Sequence, residues 1–163
     1  MSECESFATI AAADSRVLML GSMPGVRSLE LQQYYGHPQN RFWPVVAQLL
    51  GYALVPAAYS DKKQMLLEHR IALWDVLGYC QREGSLDADI TSEKPNDLGG
   101  FIGQHPQLTT ICCNGGKAAA AFRKYTRRLD LSELEIHYLP STSPANARWR
   151  LPALVAVWQV IKK

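Results

Sequence analysis

The sequence predicts an α/β fold of three layers, with helices on both faces of a central four-stranded parallel sheet. Four short apolar runs carry the strands: RVLML at 16–20, IALW at 71–74, LTTICC at 108–113 and EIHYL at 135–139. Each is stopped by a Gly, Asp, Asn or Pro. Segments of helical spacing separate them, and strands that alternate with helices pair in parallel, because each crossover returns over a face of the sheet. The 163 residues, 47% of them hydrophobic, suit one domain with one sizeable core, expected over residues 1–163.

The first strand runs into a Gly/Pro loop, GSMPG, at 21–25. Phe42, Val45, Val46, Leu49 and Leu50 then follow helical spacing, with Pro44 in the first turn and Gly51 at the stop. Ser60 is the expected cap of a second helix, SDKKQMLLEH. The second strand ends at Asp75. Residues 84–97 are polar and read as a loop, with Asn96 as the cap of a short helix carrying Leu98, Phe101 and Ile102. Asn114-Gly115-Gly116 turns the third strand into a helix from about Lys117. Cys112 and Cys113, adjacent on that strand, are expected to point to opposite faces as buried thiols. After the fourth strand comes PSTSPANAR at 140–148, and Leu151, Leu154, Val155, Trp158 and Ile161 form the stripe of a closing helix.

Composition narrows the function. The net charge of +2 neither demands nor excludes a nucleic acid. Arg123, Lys124, Arg127 and Arg128 read as a solvated helix face. The four cysteines show no C-x-x-C or zinc spacing, so no metal is expected. Neither a phosphate-binding G-x-x-x-x-G-K nor a G-x-G-x-x-G is present, and no cofactor is expected. No apolar run approaches the roughly 20 residues of a membrane span. The acidic start, MSECES, is unlike a signal peptide. A soluble, cytoplasmic monomer with no membrane partner is the expectation.

In open parallel sheets, ligands bind outside the carboxyl ends of the strands. Those ends carry GSMPG, Asp75, Asn114-Gly115 and STSPANAR, so the richest chemistry converges on one edge. Ser141, Thr142 and Ser143 offer hydroxyl and N–H groups able to grip a phosphate, or alternatively to cap the closing helix. Two tyrosines, a histidine and an asparagine crowd into YYGHPQNRFW at 34–43.

At that segment the chain resembles the uracil-DNA glycosylase superfamily, and within it the mismatch-specific and hypoxanthine-DNA glycosylase branches. The shared features run in order: a Gly-Pro loop after strand one, aromatic-x-H-P-x-N-R-F-W, an N-G turn after strand three and a Ser-Pro loop after strand four. W-D-V-L at 74–77 and R-x-G-S-L-D at 82–87 resemble the hypoxanthine branch in particular. The resemblance implies a hydrolase that flips a deaminated base out of DNA and cleaves its N-glycosidic bond in base excision repair. Met23 stands where the mismatch branch places its water-positioning asparagine, and the hypoxanthine branch shares that loss. The resemblance therefore assigns the water to Asn40. It assigns base stacking to Tyr35 and base reading to Asp75, with Ser22, Met23 and Asn114 completing the base pocket. Ser141, Thr142, Ser143, Asn146 and Arg148 are the expected DNA contacts. A uracil or G:U/T mismatch glycosylase remains open as an alternative, as does a non-catalytic binder of damaged DNA.

Overall fold

The computed structural model describes residues 2–162. In chain order its elements are β1 (Glu3–Glu5), β2 (Val17–Gly21), α1 (Val26–Leu31), α2 (Phe42–Leu49), α3 (Tyr59–Glu68), β3 (Ile71–Asp75), β4 (Leu77–Gln81), β5 (Thr91–Pro95), α4 (Leu98–Gln104), β6 (Thr110–Asn114), α5 (Gly116–Tyr125), β7 (Glu135–Leu139) and α6 (Leu151–Val157). Short 3₁₀ turns occupy Asp87–Asp89 and Trp158–Lys162. No described helix is long and apolar enough to cross a membrane.

The expected parallel sheet is present, in the order β3-β2-β6-β7. Its register sets Gly21 beside Asp75 and Asn114 beside Leu139, so the carboxyl ends form one edge. Alternation explains the layers. Val17, Met19, Ile71, Leu73 and Cys112 face a core shared with Phe42, Val45, Val46, Met65, Leu154 and Trp158. Leu18, Leu20, Ala72, Ile111 and Cys113 face the other side, against Leu98, Phe101, Ala118 and Phe122. Both faces of β2, β3 and β6 are buried, which is why these strands read as continuous apolar runs, whereas β7 at the edge leaves Glu135 and Tyr138 exposed. Cys112 and Cys113 lie on opposite faces as free, buried thiols.

A second, antiparallel sheet of order β1-β4-β5 departs from the expectation. Residues 84–97 are not all loop: β5 pairs with β4 through an irregular register. Its sequence, TSEKP, is mostly exposed and carries a charge pair and a proline, the usual dress of a protected edge. β4 follows β3 after Val76 alone, and with no turn residues to set it apart it was not expected as a separate strand beyond Asp75. The short helix α1, with only Ser28 buried, showed no apolar face.

Two expected caps also change. Helix α3 starts at Tyr59 with Ala58 in the cap position and no side-chain cap, leaving Ser60 inside the first turn. Helix α4 is capped by Asp97, whose carboxylate accepts from the Gly100 N–H. Asn96 instead donates to the Asp75 carbonyl oxygen at 2.8 Å and to Ser6 Oγ at 3.3 Å, tying the turn after β3. Gly51 stops α2 in the left-handed conformation, as expected (φ 85°). The basic residues 123, 124, 127 and 128 are all exposed.

Candidate active site at the carboxyl edge of the sheet

A cavity of about 110 Å³ opens where β2, β3 and β6 end. Ser22, Met23, Tyr35, Asn40, Asp75, Asn114, Ser141, Thr142 and Ser143 all line it. It widens into a mouth of about 690 Å³ bordered by His37, Leu86, Ala145 and Asn146. Arg148 borders neither and is exposed on the loop beyond.

Tyr35 forms one wall. Its backbone is left-handed, φ 54°, a costly conformation for a residue with a bulky side chain. The ring is held twice: it stacks on Phe42 at 4.1 Å between centroids, and its hydroxyl accepts from Asn114 Nδ2 at 3.1 Å. The strand end beneath must be glycine, because a Cβ on Gly21 would lie 2.5 Å from Asp75 Oδ1 and 3.0 Å from the Tyr35 hydroxyl.

Asn40 and Arg41 connect this wall to the serine loop. Asn40 Oδ1 accepts from the Phe42 N–H at 2.9 Å, closing the first turn of α2 and fixing the plane of the side-chain amide. Arg41 turns toward the loop of residues 140–148. Its backbone N–H donates to Thr142 O, and its Nη2 donates to Ser143 O at 2.8 Å and Asn146 O at 3.1 Å.

The serine loop is braced from within. Asn114 clamps Thr142 by two bonds, Nδ2 to Thr142 Oγ1 and Thr142 N–H to Asn114 Oδ1, each 3.0 Å. Thr142 is wholly buried, so the expectation that it touches DNA is corrected: it anchors the loop. Ser141 Oγ and Ser143 Oγ accept the N–H groups of Ser143 and Ala145, which leaves their hydroxyl protons as donors. No serine caps α6, whose cap position is Arg150. Asn146 is turned inward, donating to Ser141 O at 2.9 Å.

The base of the cavity is electrostatic. Asp75 is buried and its Oδ2 has no hydrogen-bond partner among the described residues. Burial, reinforced by the neighbouring Asp87 charge and offset by Arg82, pushes its carboxyl from the ordinary 3.8 up to about 7. Ser22 donates its hydroxyl proton to Asp87 Oδ1 at 2.8 Å. Ser85 Oγ accepts the Val26 N–H at 2.8 Å, and the buried Arg82 donates to the Pro24 carbonyl. Residues 82–87 therefore fold down on the GSMPG loop and close the cavity from outside.

The profile of the Uracil DNA glycosylase superfamily matches residues 7–162. The chain belongs to that superfamily. Its enzyme class follows: a glycosylase that hydrolyses N-glycosidic bonds. The glycosylase is 40% identical over 143 residues to a protein of Methanosarcina acetivorans named Hypoxanthine DNA glycosylase, covering 88% of each chain. It is 33% identical over 144 residues to one of the same name from Methanosarcina barkeri, covering 88% of this chain and 89% of that one. The solution NMR structure of a candidate uracil DNA glycosylase from Methanosarcina acetivorans superposes with a TM-score of 0.83 at 36% identity, covering 99% of this chain and 100% of the other.

Several features of this glycosylase escaped the sequence reading. Arg41 sits inside the quoted motif, yet only the fold shows that its guanidinium pins the serine loop. Arg82, Ser85 and Asp87 were visible only as a resemblance, R-x-G-S-L-D, within an apparent loop. His37 Nδ1 accepts the Gln39 N–H at 3.0 Å, which makes it a shaper of the turn before Asn40. Among the described residues, no three His, Cys, Asp or Glu side chains gather as a metal-holding group.

Proposed function

We propose that the glycosylase acts as a monomer that removes hypoxanthine from DNA and leaves an abasic site. The observation that carries this reading is the buried Asp75 carboxyl with an unbonded oxygen, facing a small cavity whose other wall holds Asn40. The names of the two Methanosarcina relatives support the choice of base.

The base is out of reach inside a duplex and must be flipped into the cavity. The face of Tyr35 away from Phe42 receives it and replaces the stacking it lost. A neutral Asp75 both donates and accepts, which complements the adjoining N–H and C=O of the hypoxanthine ring. The backbone N–H groups of Ser22 and Met23 are fixed donors. They suit the oxygen and ring nitrogen of hypoxanthine and oppose the amino group of adenine. Cleavage places positive charge on the sugar and negative charge on the base, and the same N–H groups stabilise the latter. Asn40 holds and orients the attacking water by accepting a hydrogen bond from it through the second lone pair of Oδ1. Its bond to Phe42 keeps that lone pair aimed. Among the described residues no lysine lines the cavity or mouth, which fits hydrolysis without a Schiff base or strand scission.

The test is a set of duplexes, each with one hypoxanthine, uracil, xanthine or mismatched thymine, treated with protein and then hot alkali. Strand breakage at hypoxanthine is expected. Breakage at uracil alone, or nowhere, overturns the reading.

Two variants bear on the walls. Tyr35→Ala is expected to slow excision by the loss of about 1–3 kcal/mol of stacking. Tyr35→Phe keeps the ring face and loses one neutral hydrogen bond to Asn114, about 1 kcal/mol, so its single-turnover rate should stay within about tenfold of wild type. Arg148→Ala is expected to weaken DNA binding and reduce the slope of log affinity against log salt by about 1. An unchanged slope would remove Arg148 from the phosphate contacts.

A further inference from the structure

When a base leaves the stack, its neighbours lose their partner, and proteins that distort DNA commonly fill such gaps with an apolar side chain. At the mouth the serine loop offers the half-buried rings of Pro140 and Pro144 and, as its one exposed apolar side chain, the small methyl of Ala145. Across the mouth stands Leu86, a large hydrophobic side chain left 58% exposed and spent on no core.

Its placement is specific. Residues 83–89 are all exposed, between buried Arg82 and buried Ile90. The neighbours of Leu86 on either side dock inward: Ser85 accepts the Val26 N–H, and Asp87 accepts the Ser22 hydroxyl. Both also line the cavity, whereas Leu86 lines only the mouth. The backbone at 86 is thus pinned on both sides while the side chain projects at the entrance. Solvent exposure of such a leucine is unfavourable in the free protein, and burial between unstacked bases recovers that loss.

From this geometry we infer that Leu86 is the wedge that enters the duplex beside the flipped nucleotide and holds it in the cavity. The inference rests on the glycosylase reading. A wedge matters only where there is a stack to replace, so its contribution belongs to paired DNA and vanishes where the lesion is already unpaired.

The test compares single-turnover excision of hypoxanthine from a duplex and from an unpaired bubble of the same sequence. Leu86→Ala is expected to slow the duplex reaction at least about tenfold and to leave the bubble reaction within about twofold. Leu86→Phe, which still fills the gap, is expected to restore most of the duplex rate. Equal losses on both substrates would make Leu86 a packing residue of the loop, and no loss on the duplex would remove the wedge; either result overturns the inference. Wild-type protein that excises hypoxanthine from neither substrate would instead overturn the glycosylase reading beneath it.

Discussion

Asn40→Ala is expected to lower single-turnover base excision at least about a hundredfold and to leave DNA affinity within a few fold. The variant removes the proposed anchor of the water, whereas the groups proposed to grip phosphate, Ser141, Ser143 and Arg148, lie elsewhere. The substitution also removes the acceptor for the Phe42 N–H, a bond whose loss costs about 0.5–2 kcal/mol of stability. Asn40→Ser separates the two roles. A serine hydroxyl can still accept that N–H, so stability should return, but it is too short to reach the water, so activity should not. Near-normal excision by Asn40→Ala would return Asn40 to closing the first turn of α2.

The second large effect concerns Asp75 and pH. Its carboxyl, raised to about 7 by burial and by the Asp87 charge, is neutral below that pH and ionised above it. The proton proposed to read the base is therefore present at pH 6 and lost as pH rises through about 7. Excision should be flat below that point and fall about tenfold per pH unit above it. Asp75→Asn carries a donor and an acceptor at every pH and should abolish the alkaline fall; Asp75→Ala should be slow throughout. Asp87→Asn removes the like charge, lowers the Asp75 pKa and shifts the fall to lower pH. An Asp75→Asn profile that still falls above pH 7 would assign the titration to another group. The same shift links to folding: between the unfolded and folded pKa values the folded chain holds a proton that the unfolded chain has released. Stability thus declines as pH rises from about 4 to about 7.

What the sequence made legible was whatever depends on local pattern. Four apolar runs ending in Gly21, Asp75, Asn114 and Pro140 were enough to place the chemistry on one edge, because parallel pairing aligns strand ends. The cavity residues followed from that edge and from the resemblance at YYGHPQNRFW. Illegible were the parts whose meaning lies in long-range bonds. Nothing local distinguishes Arg41 from any surface arginine, since its partners lie about a hundred residues away. TSEKP hides a strand because an edge strand buries no alternating face. Thr142 looked like its serine neighbours, and only its clamp on Asn114 sends it inward. Ser60 and Asn96 resembled caps because helix boundaries shift by a residue or two without changing composition.

The parallel sheet has a consequence for how the enzyme can be handled. Its four strands are five residues each, so the edge holding the cavity and the opposite edge stand about 16 Å apart. At the far edge the strands are laced by main-chain bonds, Arg16 N–H to Arg70 O, Thr109 N–H to Arg16 O and Glu135 N–H to Thr109 O, with no side chain of the cavity among them. Gln107 and Ser132, on the turns there, are exposed. A tether or fluorophore attached at either position leaves the reactive edge untouched, and a surface coated through Ser132 would present every molecule with its mouth outward, toward DNA arriving from solution.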